Sequence, residues 1–206
     1  MGFDFKLGDC IELIKKVPDE SIDAIITDPP YFIGITHNSQ KGVFKDLAIC
    51  KPFFAELFEQ FKRVLKPTGS VYFFSDFRGY SFFHPLMQEF LPVKNMLVWD
   101  KMSGWGNYYS FAHELIIYAV DKPHRNGKGF GLSVIRIPGF AAGAKKRDGE
   151  KVHPTQKPTE LIEKLITDST DEGDTVLDVF AGSGTTGVAC ARLGRNFVGF
   201  EIDEKY

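Results

Sequence analysis

Residues 175–201 read TVLDVFAGSGTTGVACARLGRNFVGFE, and this stretch decides the fold class. It begins with a short β-branched apolar run that is typical of a buried strand, and it ends with a second such run that stops at Glu201. Between the runs lie three glycines within residues 182–187 and a helical pattern that ends at Gly194. The stretch predicts a strand–helix–strand unit, in which the glycine turn lets the backbone approach a ligand and Glu201 can accept hydrogen bonds from ribose hydroxyls.

Residues 24–31 read AIITDPPY and predict a second buried strand that stops at two prolines. Because proline lacks an N–H donor and holds φ near about −65°, Asp28 lies at the carboxyl end of this strand, where open α/β sheets bind ligands. The Asp28 carboxylate and the Pro29 carbonyl can accept both N–H groups of a nucleobase amine and so localise its lone pair. Tyr31 can stack on a base swung out of the helix. The alternative interpretation is an ordinary Asp-Pro-Pro turn.

Asp9 is a second carboxylate expected at a strand end, because residues 3–9 read as a short strand and a helix is predicted from Cys10 to Pro18. Asp9 suits a helix N-cap and also a ligand contact. Both interpretations stay open, because one residue can do both.

The middle of the chain predicts helices over residues 54–65 and 82–90 and strands over residues 70–74, 96–99 and 114–120. The last two strands have no helix between them, which predicts an antiparallel pair. Their loop contains three aromatic residues that either stack on bases or pack against the sheet edge: Trp105, Tyr108 and Tyr109.

The motif HPTQKP at residues 153–158 predicts the start of a helix, with Thr155 as a cap and Pro158 in the first turn. A helix N-terminus that carries Thr155 and Lys157 can hold a carboxylate.

Charge is unevenly distributed along the chain. Between Lys122 and Lys157 there are nine basic and two acidic residues, whereas the remaining chain has 16 basic and 25 acidic residues and the whole has a net charge of −2. Together with its glycines, this composition predicts an inserted loop region over residues 121–152 that binds a polyanion such as double-stranded DNA. The alternative is a solvated surface loop.

Bulk composition is that of one globular domain over residues 1–206, with 43% hydrophobic and 25% charged residues. The sequence contains no apolar run of about 18 residues and no signal-peptide pattern, so no membrane association is expected. Its three cysteines are scattered and form no C-x-x-C pair, which favours a reducing, cytoplasmic location and argues against a metal cluster.

Three motifs in this order, DPPY, HPTQKP and DVFAGSGTT, resemble the amino-group DNA methyltransferases that act on adenine N6 or cytosine N4 with S-adenosylmethionine. The resemblance covers nearly the whole chain and is to the permuted group, in which the catalytic motif precedes the cofactor motif. It implies an α/β, Rossmann-like fold with a mostly parallel seven-stranded sheet and one antiparallel hairpin. The strand before Asp9 would lie at one edge, beside the strand that ends at Glu201.

The resemblance also implies residue roles. Asp28, Pro29, Pro30 and Tyr31 would form the catalytic motif. The cofactor would be bound by Asp9, Cys10, Asp28, Thr155, Lys157, Asp178, Phe180, Gly182, Ser183, Gly184, Thr185 and Glu201. DNA would be bound by Lys41, Arg125, Lys128, Arg136, Lys145, Lys146, Arg147 and Lys151.

Asp rather than Ser begins the catalytic motif, which within this family favours adenine N6 and leaves cytosine N4 as the alternative. Two further classes stay open: a non-catalytic DNA-binding module of the same fold, and an NAD-dependent oxidoreductase, because Gly182, Gly184 and Gly187 spell G-x-G-x-x-G. The basic segment is short, so either the recognised site is short or a second copy in a homodimer helps to bind it. Family members usually continue into another helix after the strand that ends at Glu201, so apolar sheet surface is expected to be uncovered within residues 1–206. The biological role, in restriction–modification, in a phage or in regulation, stays open.

Overall fold

The computed structural model describes residues 2–30, 47–106, 108–122, 131–144, 148 and 156–205. The strands are β1 Phe3–Leu7, β2 Ile22–Thr27, β3 Leu65–Ser75, β4 Val93–Asp100, β5 His113–Val120, β6 Val134–Arg136, β7 Thr175–Asp178 and β8 Asn196–Glu201. The α-helices are α1 Cys10–Ile14, α2 Leu47–Val64, α3 Phe77–Gln88, α4 Thr159–Ser169 and α5 Thr185–Leu193, and a π-helix spans Phe140–Ala144.

Within these described ranges, eight strands form one sheet in the order β1-β8-β7-β2-β3-β5-β4-β6. The α/β class, the mostly parallel sheet and the edge position of β1 beside β8 are confirmed. The antiparallel pairing of β4 with β5 is also confirmed, and β5 is antiparallel to β3 as well.

The expected count of seven strands is wrong, because β6 adds an eighth strand beside β4. This strand lies in the basic segment that was expected to be an inserted loop region. It has only three residues, of which Ile135 alone is buried, so it is too short for its alternating pattern to be recognised. The segment is also anchored beyond β6, since Trp99 Nε1 donates a hydrogen bond to the Ile137 carbonyl oxygen at 2.8 Å.

Some element boundaries differ from those expected. Helix α1 ends at Ile14 rather than near Pro18, because Lys16 N and Val17 N donate to carbonyls three residues back and tighten the last turn. Strand β3 begins earlier than residue 70, because Ile22 pairs with Leu65 before the register shifts.

Two apolar layers cover the two faces of the sheet. Helices α1, α2 and α3 pack on one face. There Phe54 and Phe58 are fully buried against phenylalanines of β3 and α3, and Phe61 is fully buried beside Phe58. Helices α4 and α5 pack on the other face. These three phenylalanines of α2 therefore belong to the core.

Several acidic residues lie where the parallel strands end. Because β5 is antiparallel to both of its neighbours, the other strands share one direction and their carboxyl ends meet at the same edge. Directly at or after these ends lie Asp9, Asp28, Asp76, Asp178 and Glu201.

The outermost strand β1 carries exposed apolar side chains. Phe3, Phe5 and Leu7 are each about half exposed.

Among the described residues, no helix combines the length and the apolar character that crossing a membrane requires.

The α2 core gives a stability prediction. Phe58→Ala removes a fully buried ring, and we expect the free energy of unfolding to fall by about 3–5 kcal/mol. Phe77→Ala, at a ring that is 56% exposed, is the matched control and should change it by about 0.5 kcal/mol or less. Urea denaturation followed by circular dichroism measures both, and equal losses would contradict the packing described here.

Candidate active site

The buried carboxylate of Asp178 holds the glycine turn between β7 and α5. Its Oδ1 accepts hydrogen bonds from Thr27 Oγ1 at 2.9 Å and Phe180 N at 3.1 Å, and its Oδ2 accepts one from Thr186 Oγ1 at 2.6 Å. These donors come from β2, from the turn and from α5. Asp178 therefore fastens the glycine turn to the strand that carries the DPPY motif.

The glycine turn needs glycine for its backbone conformation. Gly182 has φ of 49° and Gly184 has φ of 75°, in the left-handed region that other residues rarely adopt. A Cβ placed at Gly184 would meet nothing within 4 Å, so the turn is open on that side. Phe180 and residues 182–185 are partly exposed around this space, which suits a ligand lying against the backbone.

Glu201 lies at the end of β8, across from the turn. Its Oε2 accepts a hydrogen bond from Gly182 N at 2.7 Å, and its Oε1 accepts from Ile202 N and Asp203 N at 2.9 Å each. The carboxylate is thus held at the rim of the glycine turn, where an acid that binds ribose hydroxyls was predicted.

Asp9 is an N-cap, as one of its two interpretations required. Its Oδ1 accepts from Ile11 N at 2.8 Å and Glu12 N at 3.3 Å. The chain is joined to β8 just before it, because Gly8 N donates to the Glu201 carbonyl oxygen at 2.7 Å. Burial, reinforced by Asp9, raises the pKa of the Cys10 thiol to about 12, so this thiol stays neutral. A ligand contact at Asp9 and Cys10 stays a prediction.

Asp28 is paired with Lys157. The Lys157 ammonium donates to Asp28 Oδ2 and lies 3.3 Å from Glu114 Oε2, and its side chain is only 7% exposed. Burial acts to lower the pKa of Lys157, but the adjacent carboxylates of Asp28 and Glu114 outweigh it and hold that pKa above its ordinary value. The ammonium therefore stays charged beside the DPPY motif.

Glu114 and Lys101 belong to this cluster and were not identified from the sequence. Glu114 Oε1 accepts from Lys101 Nζ at 3.2 Å. Glu114 precedes the apolar run of β5, and a charged residue at a strand start carries no signal of its distant partners.

Helix α4 starts one residue later than predicted. It begins at Thr159, so that Pro158 is at its N-cap position rather than in its first turn. Asp148 Oδ2 accepts a hydrogen bond from Thr159 N at 2.8 Å.

Three aromatic side chains of the β4–β5 loop project away from the protein. Trp105 is 84%, Tyr108 is 99% and Tyr109 is 90% exposed, so they do not pack against the sheet edge. The loop leaves β4 at the carboxyl edge of the sheet, the same edge as Asp28. Of their two interpretations, packing is wrong and base stacking stays a prediction.

The remaining predicted site residues separate into two groups. Arg136 is described: its side chain is exposed at the end of β6 and its Nε donates to Asp100 Oδ2 at 3.0 Å. Outside the described residues lie Tyr31, Lys41, Arg125, Lys128, Lys145, Lys146, Arg147, Lys151 and Thr155. No group of three or more potential metal ligands occurs in the ranges that the structure describes.

Comparisons with known proteins agree on one family. The family model N6_N4_Mtase, described as DNA methylase, matches residues 22–206. The type II methyltransferase M.HinfI of Haemophilus influenzae is 31% identical over 234 residues, which cover 97% of this chain and 64% of that protein. The type II methyltransferase M2.DpnII of Streptococcus pneumoniae is 33% identical over 226 residues, which cover 97% of this chain and 84% of that protein.

Solved structures share the fold. The PvuII DNA methyltransferase, named as cytosine-N4-specific, superposes with a TM-score of 0.79 at 21% identity, covering 100% of this chain and 84% of that one. The complex of M1.HpyAVI with SAM superposes with a TM-score of 0.72 at 28% identity, covering 99% and 96%.

The burial of Asp178 gives a pH prediction. Burial is the largest influence on this carboxyl, and it raises the pKa from 3.8 to about 6 despite the three hydrogen bonds that it accepts. Between these values the folded protein keeps a proton that the unfolded chain releases, so stability is lost as the pH rises through this range. Relative to Asp178→Asn, the wild-type free energy of unfolding should fall by about 3 kcal/mol from below pH 4 to pH 7. The free energies of unfolding of both proteins are measured by urea denaturation across this pH range. If the difference between them does not change with pH, the prediction is contradicted.

Proposed function

The chain belongs to the DNA methylase family N6_N4_Mtase, and from this premise we propose that it transfers a methyl group from S-adenosylmethionine to adenine N6 in DNA. The observation that carries this proposal is the hydrogen bond from Thr27 Oγ1 to Asp178 Oδ1, which joins the last residue of β2 to the glycine turn. It fixes the DPPY acid and the candidate cofactor turn to one another. The chain spans 64% of the length of M.HinfI.

The residues around the turn fit S-adenosylmethionine. Gly182 and Gly184 leave an open backbone cradle, and Glu201 places a carboxylate at its rim. M1.HpyAVI, at 28% identity, was solved as a complex with SAM. When bound, this cofactor supplies a sulfonium methyl group for direct displacement, and the nicotinamide chemistry of the alternative class has no support from the family match.

The chain's own residues align and activate the target amine. Asp28 is partly exposed and carries a carboxylate at the end of β2, and Pro29 keeps a carbonyl acceptor beside it. The Lys157 ammonium contacts the Asp28 carboxylate, and an ionised carboxylate only accepts hydrogen bonds. Two acceptors on one amine localise its lone pair towards the methyl group, so that the work of the site is orientation and electrostatics.

Adenine N6 is preferred to cytosine N4 because Asp28 begins the DPPY motif. The likeness to PvuII methyltransferase, at 21% identity, concerns the fold, which both kinds of enzyme share. Cytosine N4 is therefore the second candidate and is separated by product analysis.

The proposal is tested by incubating the full chain with methyl-labelled S-adenosylmethionine and mixed-sequence duplex DNA, followed by nucleoside analysis. Label in N6-methyladenine supports the proposal, label in N4-methylcytosine replaces the base, and absence of label contradicts the activity. Asp28→Ala should lower the transfer rate by about 100-fold or more and leave cofactor affinity largely unchanged. The matched control is Asp168→Ala, because Asp168 is similarly exposed and paired with Lys164 at 2.8 Å.

DNA binding gives a further prediction. Stacking of bases on the exposed aromatic loop should contribute about 1–3 kcal/mol per base, so Trp105→Ala should weaken DNA affinity roughly tenfold. The control is Phe3→Ala, at a ring about half exposed on β1, which should leave the affinity unchanged.

DNA affinity should also fall steeply with salt. The logarithm of the binding constant should decrease with the logarithm of the salt concentration with a slope of about −0.9 for each phosphate contacted by the basic segment. Fluorescence anisotropy measures both, and a flat salt dependence would contradict the role of residues 121–152.

A further inference from the structure

The ammonium of Lys157 spans three neighbouring strands. It contacts Asp28 at the end of β2, lies 5.2 Å from the ring centre of Phe74 near the end of β3, and lies 3.3 Å from Glu114 at the start of β5. Since β3 lies between β2 and β5, the two carboxylates approach the ammonium from opposite sides. Lys157 is therefore shared between two acids rather than held by one.

Sharing a buried ammonium has a physical consequence for each acid. A lysine ammonium has three donors and no acceptor, and its charge in a buried place must be matched by nearby carboxylates. Glu114 supplies one of these carboxylates, and it is itself held by Lys101 at 3.2 Å on its other oxygen. Four charges thus alternate along the row Asp28, Lys157, Glu114 and Lys101, and their formal sum is zero.

We propose that Glu114 is a positioning residue for methyl transfer, which shares the charge of the Lys157 ammonium with Asp28 so that the Asp28 carboxylate can accept a hydrogen bond from the target amine in addition to the one from Lys157. This inference rests on the proposed function, because it assigns the amine-binding role to Asp28. Without the charge of Glu114, the attraction of the ammonium to Asp28 is stronger, and the ammonium competes with the amine for the Asp28 carboxylate. Glu114 acts through Lys157 and touches neither the amine nor the methyl donor.

The test is a double-mutant cycle on Glu114→Gln and Lys157→Met. The rate of methyl transfer is measured in a single turnover, with the protein in excess over duplex DNA and with the protein and labelled S-adenosylmethionine both well above their dissociation constants. E114Q should lower this rate about tenfold, as expected for misplacement of a catalytic group, with the dissociation constants of both ligands unchanged. In the Lys157→Met background, E114Q should cause no further loss, because its effect requires the ammonium.

The matched control is Glu163→Gln. Glu163 is 16% exposed and lies 3.2 Å from Arg192, whereas Glu114 is 17% exposed and lies 3.2 Å from Lys101. The control removes a comparable charge and should keep the wild-type rate. If E114Q reduces the folded fraction, Lys101→Met provides a second variant, because it loosens Glu114 without removing its charge and should slow transfer in the same direction by a smaller factor.

Three results overturn the inference. The first is an unchanged single-turnover rate in E114Q or, where that variant is unstable, in Lys101→Met. The second is a loss confined to cofactor affinity, which would assign Lys157 and Glu114 to the cofactor. The third is a pair of rate losses that multiply in the double variant. A wild-type chain without methyl transfer would overturn the proposed function instead. In that case the wild type, E114Q, Lys157→Met and the double variant are compared by urea denaturation. Coupled losses of stability support the shared ammonium, and additive losses overturn it.

Discussion

The carboxylate of Asp178 is the contact on which the candidate site depends. It lies buried between β7, β2 and α5 and accepts a hydrogen bond from each of Thr27, Phe180 and Thr186. Because a buried carboxylate without donors would be costly, these three groups are held in one arrangement. The glycine turn, the first turn of α5 and the strand that carries the DPPY motif are thereby placed relative to one another.

Charge is organised differently on the two sides of this contact. On the β7–β8 side, Asp9 and Glu201 accept hydrogen bonds from backbone N–H groups, so their charges are stabilised by the local chain. On the β2–β5 side, Asp28 and Glu114 are matched by the side chains of Lys157 and Lys101. The first arrangement leaves a fixed rim for a ligand, and the second places a buried counter-charge next to the group proposed to bind the amine.

The predicted motifs fall at the places where strand and turn chemistry required them. Asp28 follows a β-branched run that two prolines terminate, and Gly182 and Gly184 adopt the left-handed conformations that their residue type favours. The eighth strand and the partners of Lys157 were not predicted. Val134, Ile135 and Arg136 are too few to show a period, and Lys157 and Glu114 are 43 residues apart, so their contact depends on how the sheet is assembled.

By itself, the sequence determined the local elements and their chemistry: a buried strand that stops at Asp28, a buried strand that begins at Thr175, a glycine turn, an aromatic helix over α2, and the family to which these motifs belong. It could do so because hydrophobic periodicity, proline and glycine act within a few residues. Only the tertiary structure decided that Lys157 is shared by Asp28 and Glu114, that Asp178 fastens the turn to β2, and that the loop aromatics are exposed. Those facts depend on strand order and on burial, which are set by packing between distant segments and leave no local pattern in the chain.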